Sequence, residues 1–248
     1  VQFAKLCPDC KTPLIRYEDE AAHYCPNQIG CPPQIKGRIE HFVTRKAMDI
    51  NIGPESISLL FHKELIHDAS DLYNLKFDDL ANLERWGVTS ANNLIDSIEK
   101  SKSIPYEKVL FALGIRFVGE TVAQKLSAAF SNIDNLSVAT FEQLISVDEI
   151  GERIAQSVLD YFANEENVAF VERLKSYGLT FELSEEELAS RTDKLEGLTI
   201  VISCKFELHS RDEYKAMITQ NGGKNSGSVS KKTDYILAGS NMGPVKLQ

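Results

Sequence analysis

Four of the five cysteines in this chain, Cys7, Cys10, Cys25 and Cys31, stand within its first 31 residues. Two residues separate the first pair, five the second, and fourteen lie between the pairs. Two such knuckles bring four thiolates to one centre, and Pro8, Pro26, Gly30 and Pro32 supply tight-turn chemistry around them. Four sulfurs fill a tetrahedral coordination sphere and leave no position for a water nucleophile, so the expected ion is a structural Zn2+. Four unrelated thiols, or a disulfide pair, would be the alternatives. The chain has no apolar run of membrane-spanning length and no basic-then-apolar leader. That pattern points to the cytoplasm, where clustered cysteines favour metal over disulfide, and to no membrane partner. Cys204 follows the apolar run "LTIVIS" and reads as a buried thiol rather than a fifth ligand.

The second constellation is a repeat. "MDINIGPESISLLF", "LERWGVTSANNLI", "GIRFVGETVAQKLS" and "VDEIGERIAQSVLD" each carry an apolar residue followed by glycine: Ile52-Gly53, Trp86-Gly87, Val118-Gly119 and Ile150-Gly151. The glycines are 34, 32 and 32 residues apart. Ala91, Ala123 and Ala155 follow four places after the last three, and Leu60, Leu94, Leu126 and Val158 follow seven places after all four. Helical apolar spacing flanks each glycine, so each unit is expected to be a helix, a short turn and a second helix. The glycine would let the backbone turn sharply and approach a ligand closely. The first-turn N–H groups of the second helix lack intrahelical partners and form the positive end of its dipole. That makes a phosphate cradle, and four copies in one register point to a nucleic-acid backbone, gripped without reading bases. Trp86 would either stack on a sugar or base or fill the core.

Charge argues for a localised grip. The net charge is −9, and residues 49–190 carry 11 Lys+Arg against 25 Asp+Glu. Without a broad basic face, binding would rest on amide donors and a few bases near the turns: Arg85, Arg116, Lys125 and Arg153. "SEEEL", Ser184 to Leu188, reads as a solvated segment between domains. In the tail, "LTIVISC" and "TDYILAG" read as strands and "SRDEYKAMITQNGG" as a helix with Ser210 as N-cap and a Gly-Gly stop. Strand, helix, strand in that order implies a parallel, right-handed α/β unit.

The fold expected is mainly α: a four-cysteine zinc finger over residues 1–34, four helix–hairpin–helix repeats over 35–184, and a linker with a partial α/β domain over 185–248. The combination of "CPNQIGCPPQ", "HFVTRKAMDI", "ALGIRFVGETVAQKL" and the tail "KLEGLTIVISCKFELHSRDEYKAMITQNGGKNSGSVSKKTDYILAG" resembles the carboxy-terminal region of bacterial NAD-dependent DNA ligases, ending in the start of a BRCT domain. The resemblance implies a parent enzyme that uses NAD+ and Mg2+. In that family an enzyme lysine takes AMP from NAD+ and passes it to the 5′-phosphate at a nick, and the 3′-hydroxyl displaces it. It implies duplex or nicked DNA as partner, together with amino-terminal adenylation and OB-fold domains of the same chain. It implies no catalytic residue here: the Lys-x-Asp-Gly nucleophile motif has no match, and "KFDD" from Lys76 to Asp79 lacks the glycine and opens a helix. This stretch alone should therefore take up no AMP, and bind neither NAD+ nor Mg2+.

Departures from the family pattern matter too. Asn51, Arg85, Phe117 and Glu149 stand where its hairpins commonly have a first glycine, and Glu149 beside Asp148 would repel phosphate. Cys204 replaces a glycine after Ser203, which weakens a phosphate pocket built on Ser203 and Lys232. The tail stops before the last strand and helix such a domain needs, so it should be frayed. A stand-alone DNA-binding module of a repair or recombination protein is the competing reading.

Overall fold

The computed structural model describes residues 4–16, 21–27, 30–83, 86–189, 192, 194–203, 206–231 and 233–239. The chain divides into two units, Val1–Glu182 and Leu183–Gln248.

In the first unit the cysteine corner is a pair of turns held by isolated antiparallel bridges, Leu6 with Pro13 and Ile15 with Tyr24. The first knuckle closes when the Lys11 N–H donates to the Cys7 carbonyl at 3.0 Å and the Cys7 N–H to the Thr12 carbonyl at 2.9 Å. Cys31 then stands at the N-cap of α1 (Pro32–Val43), whose proline at the first positions gives up no hydrogen bond.

Four helix pairs follow. In the first, α1 packs against α2 (Pro54–His62). A 3₁₀ turn (Ala69–Asn74) leads to the second, α3 (Phe77–Ala81) with α4 (Val88–Ser101). The third is α5 (Tyr106–Ala112) with α6 (Glu120–Phe130). A short α7 (Ile133–Ser137) precedes the fourth, α8 (Phe141–Ser146) with α9 (Glu152–Ala163), and α10 (Glu165–Ser176) packs on α9. The repeat register becomes the core. Ala91, Ala123 and Ala155, with Leu60, Leu126 and Val158, are all wholly buried. In the last three hairpins the small alanine methyl lets the second helix lie close on the first, while the first hairpin buries Ile57 at the equivalent place. The hairpins are then tied to one another. Arg173 of α10 donates to Asp68 and, at 3.0 Å, to the Ser70 hydroxyl of the 3₁₀ turn. His41 of α1 bonds the Phe111 carbonyl of α5 at 2.9 Å and packs edge-on against the Phe111 ring.

The second unit begins with a short acidic helix, α11 (Glu185–Ala189), that buries no side chain, in keeping with a solvated "SEEEL". Beyond it lie β1 (Thr199–Ser203), α12 (Arg211–Gln220), β2 (Lys224–Ser226) and β3 (Tyr235–Ala238). β1 is central and parallel to both neighbours, in the order β2-β1-β3. The strand–helix–strand expectation holds, with one strand missed. β2 follows the Gly-Gly stop at once, and its residues Lys-Asn-Ser carry no strand signal; they pair because the parallel β1 edge receives them. Ser210 caps α12 through Glu213 as a reciprocal box. Gly222 lies at φ 79°, and a Cβ on Gly223 would come 2.8 Å from Ile218, so both glycines are fixed by geometry. Cys204, Lys232 and the last nine residues fall outside the described residues, so neither the buried thiol nor the frayed end has a structural counterpart.

The buried alanines give a direct test. Ala123→Leu should lower stability by about 1–3 kcal/mol through overpacking, with metal content unchanged. Thermal melting of the two proteins side by side checks it, and equal midpoints would contradict close α5–α6 packing.

Candidate metal centre and nucleic-acid interface

All four cysteine sulfurs lie within 4.8 Å of one another. Cys7 and Cys31 are 3.8 Å apart, sulfur to sulfur, and Cys10 and Cys25 are 3.4 Å apart. Zinc–sulfur bonds of about 2.3 Å in a tetrahedron put the sulfurs about 3.8 Å apart, so the residues fit the ion. Their surroundings argue the same way. Hydrogen bonding to Thr12 draws the Cys10 thiol down to about 6, whereas burial pushes Cys25 up and Cys31 up to about 12. Four sulfurs packed together, two of them resisting ionisation, are a set that a dication completes by replacing their protons. Once bound, the ion would supply cross-links and no chemistry. Cys7, Cys10, Cys25 and Cys31 would hold it.

Each repeat glycine is the N-cap of its hairpin's second helix: Gly53 of α2, Gly87 of α4, Gly119 of α6 and Gly151 of α9. None of these four helices has a side-chain cap. Asp68, Asn132, Thr140, Asn164 and Ser210 each cap another helix start by accepting from a first-turn N–H, whereas α1 and α5, which follow Cys31 and Pro105, have no side-chain cap either. One sequence expectation is corrected here. The glycines do not make the sharp turn, because all four have extended backbone, with φ between −112° and −83°. In the third and fourth hairpins the left-handed residue stands two places earlier, at Phe117 (φ 65°) and Glu149 (φ 64°). Nor does packing demand glycine: a Cβ on any of the four would meet nothing within 4 Å. What glycine leaves open is the outside, an exposed helix start that a ligand can approach to backbone distance.

The residues beside the glycines divide in role. Val118 and Ile150 are buried, and their N–H groups donate to the Ile115 and Val147 carbonyls at 3.0 and 3.1 Å, so they anchor the turns from within. Ile52 is half-buried. With Asn51, Gly53, Ser56, Trp86 and Ser90 it lines one polar cleft of about 230 Å3 between the first and second hairpins. The first hairpin's turn is pinned there by the Asn51 N–H donating to the Ser97 hydroxyl at 3.1 Å. In the second pair the Ser157 hydroxyl of α9 donates to the Arg116 carbonyl at 2.7 Å. The hairpins thus come two by two.

Of the bases, Arg116 lies over the rings of Tyr24 and Phe117, and Arg153 lies over Phe117. Arg85 is outside the described residues. Lys125 faces the fourth hairpin. Its Nζ is 2.9 Å from Glu149 and 3.6 Å from Asp148, so it neutralises the acidic turn of the fourth hairpin. Lys46 does the same for Glu120 at the start of α6, at 2.7 Å. These pairs were not legible in the sequence, since the partners are 24 and 74 residues apart. Lys76 is an exposed helix start whose N–H is held by Asp79 at 3.0 Å, not a pocket nucleophile.

Residues 7–32 match the NAD-dependent DNA ligase C4 zinc finger domain, residues 108–171 the helix-hairpin-helix motif, and residues 190–248 the BRCA1 C Terminus (BRCT) domain. Over its whole length the chain is 64% identical to a DNA ligase of Parabacteroides distasonis, 57% to one of Bacteroides fragilis and 55% to one of Flavobacterium johnsoniae. It spans 37% of the length of each. The resemblance seen in the sequence therefore holds along the entire chain. No helix among the described residues is long and apolar enough to cross a membrane.

Untagged protein prepared without chelators should carry about one zinc per chain. Titrating zinc into stripped protein at pH 7 should release protons, Cys25 and Cys31 giving theirs up because burial keeps those thiols protonated, and Cys10 releasing least. Removal of the ion should loosen the cysteine corner while helical circular dichroism persists. Elemental analysis finding no metal, or calorimetry showing no proton release, would contradict the assignment.

Proposed function

We infer from the full-length similarity to bacterial DNA ligases that this chain is the DNA-holding part of an NAD-dependent ligase, which seals nicks in duplex DNA. The reading assigns it to the carboxy-terminal region, with residues 1–34 as the finger, 35–184 as the hairpin domain and 185–248 as linker and partial BRCT domain. Adenylation would belong to other domains of the longer protein. One observation carries the assignment of the grip: the second helix of each hairpin starts, in one register, at an exposed glycine with no side-chain cap.

Each such start offers first-turn N–H donors and the positive end of a helix dipole. A phosphate oxygen docked there satisfies the donors without side-chain charge, and the missing Cβ lets it come within bonding distance. Lys46 and Lys125 hold the neighbouring carboxylates, which would otherwise repel it. Contacts of this kind position a duplex and carry no sequence preference, as sealing nicks of any sequence requires. Arg116 and Arg153 add charge beside two of the turns, and Trp86 lines the cleft beside the other two. The metal has no part in the reaction; it fixes the corner that carries Tyr24 over Arg116. Identity of 55–64% to ligases across the whole chain favours this over a stand-alone repair module.

Gly119→Asp separates grip from stability. The backbone at Gly119 is extended (φ −83°) and open, and aspartate is a favoured N-cap, so the variant should melt at or above the parent. Its carboxylate would fill the phosphate site, and binding to nicked duplex should weaken by about 1–3 kcal/mol. The salt slope should change less than in Arg116→Ala, which removes a full charge. In a complete ligase carrying this chain, Gly119→Asp should slow nick sealing while self-adenylation from NAD+ stays normal. This stretch alone, given NAD+ and nicked DNA, should show no AMP mass shift. A Gly119→Asp protein that binds nicked duplex like the parent would remove the third hairpin from the interface.

A further inference from the structure

The four sulfurs are not the whole of the cysteine corner. The Cys10 sulfur lies 3.2 Å from the Thr12 hydroxyl oxygen. That oxygen accepts from the Asn27 Nδ2 at 3.3 Å, and the Asn27 Oδ1 accepts from the Gly30 N–H at 2.7 Å. Three hydrogen bonds thus run from a ligand of the first knuckle to the residue before Cys31, the last ligand of the second. Thr12 and Asn27 stand 15 residues apart, and both are half-buried. Gly30 is fitted to the relay as well: a Cβ there would come 2.9 Å from Nδ2 and 3.0 Å from Oδ1 of Asn27.

Chemistry fixes the direction of each bond. A backbone N–H only donates, so the Asn27 carboxamide turns its oxygen to Gly30 and its nitrogen to Thr12. That nitrogen also only donates, so the Thr12 oxygen accepts and keeps its own hydrogen for another partner. A protonated Cys10 would donate to the same oxygen and leave that hydrogen unused by the relay. A thiolate carries no proton and only accepts. With Cys10 ionised, as a zinc ligand must be, each of the three bonds has one donor and one acceptor. The relay is complete around a metal-binding sulfur and incomplete around a thiol.

We propose that Thr12 and Asn27 are positioning residues of the metal centre: the Thr12 hydroxyl donates to the Cys10 thiolate, and Asn27 ties that hydroxyl to the turn before Cys31. A hydrogen bond to a ligand sulfur orients it and draws off part of its charge, and neither effect needs contact with the ion. The relay also makes the two knuckles close together, because the side chain that holds Thr12 is the one that holds Gly30. The inference rests on the metal-centre assignment and is independent of the DNA-holding reading.

Chelator competition with Zn2+, and the visible spectrum with Co2+ as probe, test this on the full chain. Thr12→Val keeps the shape of threonine and removes the hydroxyl. It should weaken Zn2+ binding by about 10–100-fold, the usual effect of losing an outer partner of a metal ligand. At saturating Co2+ its sulfur-to-metal charge-transfer band should move to longer wavelength, because the freed thiolate gives up electron density more readily. Thr12→Ser, which keeps the hydroxyl, should return both readings to near the parent. Gly30→Ala, whose methyl would displace the Asn27 carboxamide, should weaken Zn2+ binding in the same direction. Thr12→Val/Asn27→Ala should lose less than the product of its two single losses. A Thr12→Val protein with parental affinity overturns the proposal. So does one that binds weakly with an unmoved band, which would leave Thr12 a packing role only, and so does a double variant whose losses multiply. A parent that takes up neither ion refutes the metal-centre assignment and the proposal with it, whereas a parent that binds leaves that assignment standing whatever Thr12 does.

Discussion

A helix must satisfy its first N–H groups, and the second helix of each hairpin starts at an exposed glycine that supplies no side chain to do so. Everything else in the hairpin unit serves that constraint. Wholly buried alanines bring the helices of a pair close, and buried Val118 and Ile150 lock their turns from within. The glycine N-caps then stand outermost, extended and open. Because the donors are amides, the unit can be acidic, and lysines from neighbouring elements need only quiet the carboxylates next to the turns. Lys46 on Glu120 and Lys125 on Glu149 do so. A net charge of −9 is compatible with a phosphate ligand when the positive potential is placed this locally.

The finger belongs to the same mechanical account. Four sulfurs around one ion fix a corner too small to have its own core. That corner carries Tyr24, whose ring covers Arg116 of the third hairpin. The ion can thus matter to DNA without touching it. His41, tying α1 to the Phe111 carbonyl of α5, gives a second path between the helix that follows the finger and the third hairpin.

Much of this was legible because the signals are periodic or clustered. The cysteine spacing implies a closed tetrahedral site, and the structure gathers the four sulfurs. The glycine, alanine and leucine register implies helix–turn–helix units, and each glycine does begin a second helix. The conformation of the turns was not legible. Glycine invites the assumption of a left-handed turn, yet that role falls to Phe117 and Glu149, residue types whose propensity argues against it. The sequence places Lys125 six residues after Gly119, and only tertiary structure shows it facing Asp148 and Glu149. The β2 strand has no signal in the sequence because an edge strand of Lys-Asn-Ser exists by pairing with β1, not by propensity.

The central claim is that backbone amides at the four glycine turns hold the phosphates. Hydrogen exchange of the chain with and without nicked duplex, read residue by residue, measures this most directly. The account predicts slowed exchange at the amides of residues 53 and 55–56, 87–90, 119–122 and 151–154, with little change along the exposed faces of α7 and α10. Protection confined to side-chain-rich surfaces elsewhere, with those first-turn amides exchanging as fast as in free protein, would contradict it.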